Sequence, residues 1–225
     1  DDEFTILDET KQAELFRDIF TSWRVKNRRE FYSIIDSNRY SHQKLIQMEE
    51  RWARDFYQLA PRSFAYFKIQ GYDAQTLTDL LKDEEHMLLL KWITELYMEY
   101  ETALRLRGLI DFNDILVGAL RLLKDDRQLL ERYQRRYTFI FEDEAQDSNL
   151  IQQEMLMMLS EDSGNLIRVG DSNQAIMSTF TISDPKLFRD FSKNPFTEVQ
   201  SINVASRSCK HVIDLANFFV GWTRE

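Results

Sequence analysis

Cysteine, proline, histidine and glycine are all scarce in this 225-residue chain, which has one, three, three and six of them. The lone Cys209 excludes an intrachain disulfide, and His42, His86 and His211 show no metal-ligand spacing, so no metal cage built by the protein alone is expected. No apolar run approaches the roughly 20 residues that cross a bilayer, and the acidic start Asp1-Asp2-Glu3 lacks the basic segment of a signal peptide. A soluble, cytoplasmic protein without membrane partners is the expectation. None of the glycines, at 71, 108, 118, 164, 170 and 221, is followed by lysine. That excludes a phosphate loop of the Gly-Lys-Ser/Thr type, in which backbone amides and a lysine cradle the phosphates of a nucleotide. Apolar side chain, by contrast, is plentiful: 43% of residues are hydrophobic, enough for one or two compact cores.

Net positive charge is also lacking. At −9 the chain cannot attract nucleic acid through bulk potential, because phosphate neutralisation requires clustered Lys and Arg. Two local clusters remain, one of Arg17, Arg24, Lys26, Arg28, Arg29 and Arg39, the other of Arg121, Lys124, Arg127, Arg132, Arg135 and Arg136. Most clusters of this kind are solvated faces; DNA contact is the alternative reading.

Over the first 108 residues apolar side chains recur at spacings of three and four, with few turn signals, which predicts helices almost throughout. In residues 41–60, Leu45, Met48, Trp52, Phe56 and Leu59 form one stripe, and Pro61 is expected to follow the helix end. A second helix is predicted over residues 83–107, with Gly108 as its stop. Helical spacing places Trp23, Trp52 and Trp92 in a core rather than on a base or cofactor. After Gly108, short apolar runs alternate with helices, the pattern of a mostly parallel sheet. Helices are predicted over 111–123 and 148–160, a buried strand over 137–141 and another over 166–169. Asp184-Pro185 reads as a cap and first residue of a short helix to Phe191, and a last helix follows Ser208 to about Val220.

The strongest chemical signal is the apolar strand Phe139-Ile140-Phe141, which ends in Glu142-Asp143-Glu144-Ala145-Gln146-Asp147. Ligands of open parallel sheets bind beyond the carboxyl ends of the strands. An aspartate there can hold Mg²⁺ through its water shell, and the adjacent glutamate can orient and deprotonate a water. Taken alone, the pair reads first as a strand ending in solvated acids. A second element, Leu166-Ile167-Arg168-Val169 running into Gly170-Asp171-Ser172-Asn173-Gln174, would place further polar groups at the same edge. Gln174 both donates and accepts, which suits a sensor, although an ordinary turn uses these residues too.

The ordered set resembles UvrD/Rep/PcrA-type superfamily 1 DNA helicases. Asp111-Phe112-Asn113-Asp114-Ile115-Leu116 is similar to their Asp-Phe-Asp-Asp-Leu-Leu helix start, and Asp143-Glu144-Ala145-Gln146-Asp147 to motif II. Residues 170–176 are similar to motif III, Ala205-Ser206-Arg207-Ser208 with Ala216-Asn217 to motif IV, and Phe4-Thr5-Ile6-Leu7-Asp8 to the stretch leading into the helical 1B insertion. The resemblance implies an α/β fold: a partial RecA-like P-loop NTPase domain with parallel strands, preceded by an all-helical 1B-type domain. It divides the chain into a 1B-like domain at 1–108, the second half of domain 1A at 109–200 and an incomplete lead-in to domain 2A at 201–225.

By the same resemblance, Asp143 binds Mg²⁺, Glu144 activates water, Gln146 and Gln174 sense ATP, and Arg207 meets the γ-phosphate. Asp147 is expected to cap a helix. DNA-binding candidates are Arg24, Arg28 and Arg29 for duplex, and Thr179 and Phe180 for single strand. Here the chain departs from the family: Thr179 stands where the usual motif III tryptophan stacks on DNA, with Phe180 as the substitute π-face. Ala205-Ser206 likewise replaces the usual Asn-Tyr of motif IV. The implied activity of the intact protein is ATP-dependent 3′ to 5′ translocation on single-stranded DNA with duplex unwinding. The chain reads as a central segment of such a helicase and, without a phosphate loop, is expected to be inactive alone. Three alternatives remain: a helicase-nuclease of the AddA or RecB kind, a non-catalytic binding module, and an interaction scaffold on the same fold.

Overall fold

Short acidic side chains start several helices of the protein, whose computed structural model describes residues 4–84, 86–175, 183–202 and 204–222. Asp8 accepts the Lys11 N–H at 2.8 Å and opens α1 (Glu9–Lys26), and Asp73 accepts the Thr76 N–H at 2.7 Å to open α4 (Ala74–Leu80). Each satisfies one amide that a helix start leaves unpaired, worth about 1 kcal/mol. Between them lie α2 (Arg28–Phe31) and α3 (His42–Ile69), and α5 (Leu88–Leu106) follows. Trp23, Phe31, Phe56 and Trp92 meet at the centre of this helical core, every pair with ring centroids 5.1–6.3 Å apart. Trp23 Nε1 donates to Glu95 Oε2 at 2.9 Å, and Trp52 Nε1 to the Phe31 carbonyl at 3.1 Å. Trp23 and Trp92 are buried and Trp52 packs against the same core, as their spacing predicts, and the Trp23 and Trp52 indoles are satisfied.

Two helix boundaries differ from expectation. α3 does not end before Pro61 but runs through it to Ile69. A proline inside a helix costs about 3 kcal/mol. The apolar stripe, however, continues past it: Phe56, Ala60, Phe64 and Phe67 are all buried, and each phenylalanine contributes about 1.5–3 kcal/mol by leaving water. Packing on both sides of Pro61 outweighs the local defect. Conversely, α5 starts at Leu88 rather than 83, because the preceding segment closes turns, Glu84 N–H to the Leu81 carbonyl and Met87 N–H to the Glu84 carbonyl.

Gly108, at φ 62°, ends α5 in the left-handed conformation that glycine adopts without steric penalty. The chain then forms β2 (Leu109–Ile110), parallel to β1 (Thr5–Ile6). Asp111 opens α6 (Phe112–Asp125) in a reciprocal box: its Oδ1 accepts the Asp114 N–H at 3.0 Å, and Asp114 Oδ2 accepts the Asp111 N–H at 2.9 Å. The other oxygens of these two acids hold Lys68, whose Nζ lies 2.8 Å from Asp111 Oδ2, 2.6 Å from Asp114 Oδ1 and 2.8 Å from Glu101 Oε1. Tyr100 O–H donates to Asp111 Oδ2 at 3.0 Å and accepts from Gln12 Nε2 at 2.9 Å. One buried cation thus ties α3, α5 and α6 together.

Burial opposes the charge on Lys68, but Asp111, Glu101 and Asp114 together raise its pKa above the ordinary 10.5. Its contribution to stability is therefore fully present below pH 10.5 and lost as pH rises through the higher folded value. Lys68→Met strands buried carboxylates without a cation, and should cost about 3–5 kcal/mol at neutral pH. The difference between wild type and variant should shrink in acid, where Glu101, whose pKa burial raises, takes up a proton. Urea midpoints at pH 7 and pH 5 measure both effects; an unchanged midpoint at pH 7 removes the cluster from the stability account.

The remaining elements are α7 (Arg127–Arg136), β3 (Ile140–Glu142), a 3-10 turn (Ala145–Asp147), α8 (Leu150–Ser160), β4 (Leu166–Arg168), α9 (Pro185–Phe191) and α10 (Lys210–Trp222). The protein is mostly helical with a few short parallel strands. It divides into two compact units, Asp1–Thr138 with Leu150–Gly164, and Phe139–Asn149 with Asn165–Glu225. Among the described residues the strands make two separate two-stranded ladders, β1 with β2 and β3 with β4, rather than one sheet. The strand expected to be buried over 137–141 is shorter and open on one side: Ile140 and Glu142 are half-buried while Phe141 is 74% exposed. A continuous apolar run implies cover on both faces, whereas the described residues cover one. No described helix is long and apolar enough to cross a membrane.

Candidate functional site

β3 and β4 run parallel, with Ile140 opposite Leu166, Phe141 opposite Ile167 and Glu142 opposite Arg168. The ladder continues past both ends: Val169 N–H donates to the Glu142 carbonyl at 2.8 Å and Ala145 N–H to the Val169 carbonyl at 2.9 Å. The loops Asp143-Glu144 and Gly170-Asp171 therefore leave the sheet side by side, at its carboxyl edge. Beneath them, Glu142 and Arg168 form an ion pair that is almost wholly buried, and Ser148 Oγ donates to the same glutamate. The Arg168 guanidinium also lies 5.1 Å from the Phe191 ring centroid and 6.0 Å from that of Phe188, which seats α9 against the strands.

Gln146 is the centre of the arrangement and is 1% exposed. Its Oε1 accepts the Asp171 N–H at 3.0 Å, and its Nε2 donates to Glu144 Oε2 at 2.7 Å. A backbone N–H can only donate, so the orientation of this amide is fixed by its partner. Gly170 is required by the same packing, since a Cβ there would lie 2.5 Å from Gln146 Oε1 and 3.2 Å from the Ala145 nitrogen. Asp171 in turn accepts from Asn173 N–H at 2.9 Å and from Gln174 Nε2 at 3.0 Å. The Asn173 amide bond, with help from Gln174, holds the Asp171 carboxyl below the usual carboxylate range. Glu144, Gln146, Asp171 and Gln174 thus form one hydrogen-bonded chain across two strand ends.

Asp143 and Glu144 are exposed, and Asp143 Oδ1 accepts the Glu144 N–H at 3.0 Å. Glu144 is the one described residue other than glycine with positive φ, at φ 51° and ψ 41°. No group of three or more His, Cys, Asp or Glu side chains gathers as a metal cage among the described residues. A single exposed carboxylate nevertheless fits Mg²⁺, which keeps several waters and takes its other ligands from phosphates.

The other candidates lie apart from this chain of contacts. Arg207 is exposed in a bend ahead of α10 and forms no ion pair among the described residues. Arg24, half-buried at the end of α1, stacks 5.7 Å over Phe20, and Arg28 and Arg29 are exposed on α2. Thr179 and Phe180 lie outside the described residues. Asp147 is not a helix cap: it sits in the 3-10 turn, its buried Oδ1 has no hydrogen-bond partner, and α8 starts only at Leu150. Sequence reasoning missed Asp171 as the link between Gln146 and Gln174. Its signal was an aspartate two residues before an asparagine, the spacing of a side chain that bonds its own turn. Arg168 beside Glu142 left no signal, because their pairing depends on strand register.

A family model described as the UvrD/REP helicase N-terminal domain matches residues 1–195. The chain is similar to ATP-dependent DNA helicase UvrD2 of Mycobacterium bovis, with 36% identity over 137 residues, 59% of this chain and 19% of the relative. It is also similar to a probable DNA helicase II homolog of Mycoplasma genitalium, 38% identical over 97 residues, 43% of this chain and 14% of that one. An ATP-dependent helicase/nuclease polypeptide of Listeria monocytogenes matches at 34% over 160 residues, 65% of this chain and 12% of the relative. The chain spans a fifth or less of the length of these curated relatives.

Proposed function

This chain belongs to the UvrD/REP helicase family, and on that premise we propose that it carries the hydrolysis and sensing edge of the nucleotide site of an ATP-dependent DNA helicase. The hydrogen-bonded chain Glu144–Gln146–Asp171–Gln174 at the carboxyl ends of β3 and β4 is the observation that supports this reading. Glu144 orients a water and takes its proton as the water attacks the γ-phosphate. Gln146 fixes the Glu144 carboxylate with one end and the Asp171 backbone with the other, so a shift at either loop is felt at the base. Gln174, bonded to Asp171, reports the state of the nucleotide to the segment that follows it. Asp143 would hold Mg²⁺, which supplies charge neutralisation between the β- and γ-phosphates when bound. Arg207 completes the site on closure of a second RecA-like domain.

In this proposal residues 1–108 are the 1B-like domain, 109–200 the later half of domain 1A, and 201–225 the lead-in to domain 2A. Arg24, Arg28 and Arg29 meet duplex DNA, Thr179 and Phe180 meet single-stranded DNA, and the intact protein moves 3′ to 5′ along it. Similarity to the helicase/nuclease of Listeria monocytogenes favours, as the second reading, a parent that also carries a nuclease. The 225-residue chain contains no Gly-Lys pair to cradle phosphates. By itself it should show no phosphate release stimulated by single-stranded DNA, while a longer form that supplies a Gly-Lys-Ser/Thr loop should turn over. Turnover by the chain alone would sink the need for that loop, and an inert longer form would sink the enzyme reading.

A further inference from the structure

α7 carries four arginines against one glutamate, on a chain whose net charge is −9. Its inward face is held by Gln134, which is buried and donates through Nε2 to the Met158 carbonyl at 2.8 Å. Most basic side chains of α6 and α7 are neutralised: Arg121 by Asp125, Lys124 by Glu154, and Arg127 and Arg135 by Glu131 between them. Arg132 and Arg136 are different. Both are exposed, stand one helical turn apart, and have no carboxylate partner among the described residues. Each guanidinium instead lies over a tyrosine ring, Arg132 at 5.5 Å from the Tyr133 centroid and Arg136 at 5.4 Å from that of Tyr137. The two rings are themselves stacked, with centroids 6.1 Å apart and planes inclined by 4°. A shallow depression lined by Gln128, Glu131, Arg132 and Arg135 adjoins them.

We infer that this Arg132–Tyr133–Tyr137–Arg136 ladder is a second docking surface for single-stranded nucleic acid, separate from the strand-end site and needing no nucleotide. Stacking on a ring holds a guanidinium in place while leaving its N–H edge free for phosphate oxygens. One face of Tyr137, which is 43% exposed, lies against Tyr133, and the other opens to an unpaired base when the Arg136 guanidinium turns to a phosphate. A duplex, whose bases are already stacked, has no use for that surface. The helix dipole favours Arg135 and Arg136 in the last turn, but it gives the tyrosine pair no role. With the whole chain acidic, attraction to a polyanion has to be local, and on α7 two uncompensated charges and a stacked pair of tyrosines coincide.

The test is anisotropy of a labelled oligothymidylate, and of a duplex of equal length, with the 225-residue chain and no ATP. The double variant R132Q/R136Q should lower oligothymidylate affinity about tenfold at low salt and flatten the slope of log K against log salt by about 1.4, or 0.7 for each lost phosphate contact. Y137A should weaken the single strand about tenfold with the slope unchanged, and the duplex little. R132K/R136K should keep the slope and recover only part of the affinity, which separates the guanidinium from its charge. R54Q/R62Q, which removes two exposed arginines of α3, should leave the single strand unaffected. All these side chains are exposed, so melting temperatures should match wild type. Unchanged affinity in R132Q/R136Q and Y137A overturns the proposal, as does equal loss for the duplex in Y137A. Displacement by polyglutamate as effective as by oligothymidylate overturns it in favour of an acidic protein partner. Because no nucleotide enters the assay, its failure and that of the helicase reading are distinguishable.

Discussion

Glu144→Gln in the intact enzyme should leave ATP binding close to wild type and slow hydrolysis by about 10²–10⁴-fold, the usual contribution of a positioned general base. The structure makes this substitution unusually clean. Gln146 Nε2 donates to Glu144 Oε2, and a glutamine at 144 can turn its own carbonyl oxygen to accept the same bond, so the chain to Asp171 survives. Both side chains also meet the same backbone demand at this left-handed position, so neither folding nor loop shape should change. What is lost, in the proposed role, is the basic oxygen that would take the water's proton. Nucleotide affinity by equilibrium binding, and turnover with saturating single-stranded DNA, give the two numbers on one preparation. Turnover within a few-fold of wild type would remove Glu144 from the role of base.

Arg207→Ala should lower turnover of the intact enzyme by at least about a hundredfold, because a guanidinium supplied to a transferring phosphoryl group contributes roughly 10³–10⁵ in rate. In this chain Arg207 is exposed and unpaired among the described residues, so no ion pair is broken by its removal and the melting temperature should not move. Its effect should therefore fall on catalysis alone. Lysine should rescue only in part, since a point charge does not reproduce the planar fork that meets two phosphoryl oxygens. Single-stranded DNA affinity without nucleotide should stay near wild type. The opposite pattern, unchanged turnover with weakened DNA binding, would move Arg207 from the nucleotide to the DNA path.

Helix starts and aromatic stripes were legible from local spacing, as at Asp111, Asp184 and the Trp23–Trp92 core, whereas the Asp8 cap was not read from the sequence. So was the family, because its motifs follow one another along the chain. Pro61 misleads because the local rule for proline meets a tertiary fact, the burial of Phe64 and Phe67. Phe141 misleads because an apolar run does not say how many of its faces are covered. At the site, Asp143, Glu144, Gln146 and Gln174 were legible in the sequence, but the order in which they connect was not. That order depends on the β3–β4 register, which brings Gln146 to Asp171 across 25 positions. The Lys68 cluster was invisible for the same reason, since 43 residues separate the lysine from Asp111.

The conformation of Glu144 sets folding against the chemistry proposed for it, at one residue. A non-glycine side chain at φ 51° costs about 1–2 kcal/mol of backbone energy, and glycine or asparagine would relieve it. The conformation is imposed by the turn from β3 into Ala145–Asp147, which also buries Gln146 beneath the loop. A sequence tuned for thermal endurance alone would not place a glutamate there. Proteins hold residues in such sparsely populated states where the neighbours over-determine them, and here those neighbours are the Gln146 amide and the close approach of Gly170. Heat-resistant variants of this protein sought by screening for stability should therefore be drawn toward residue 144, and those that accept glycine or asparagine there will have gained their endurance by giving up the carboxylate.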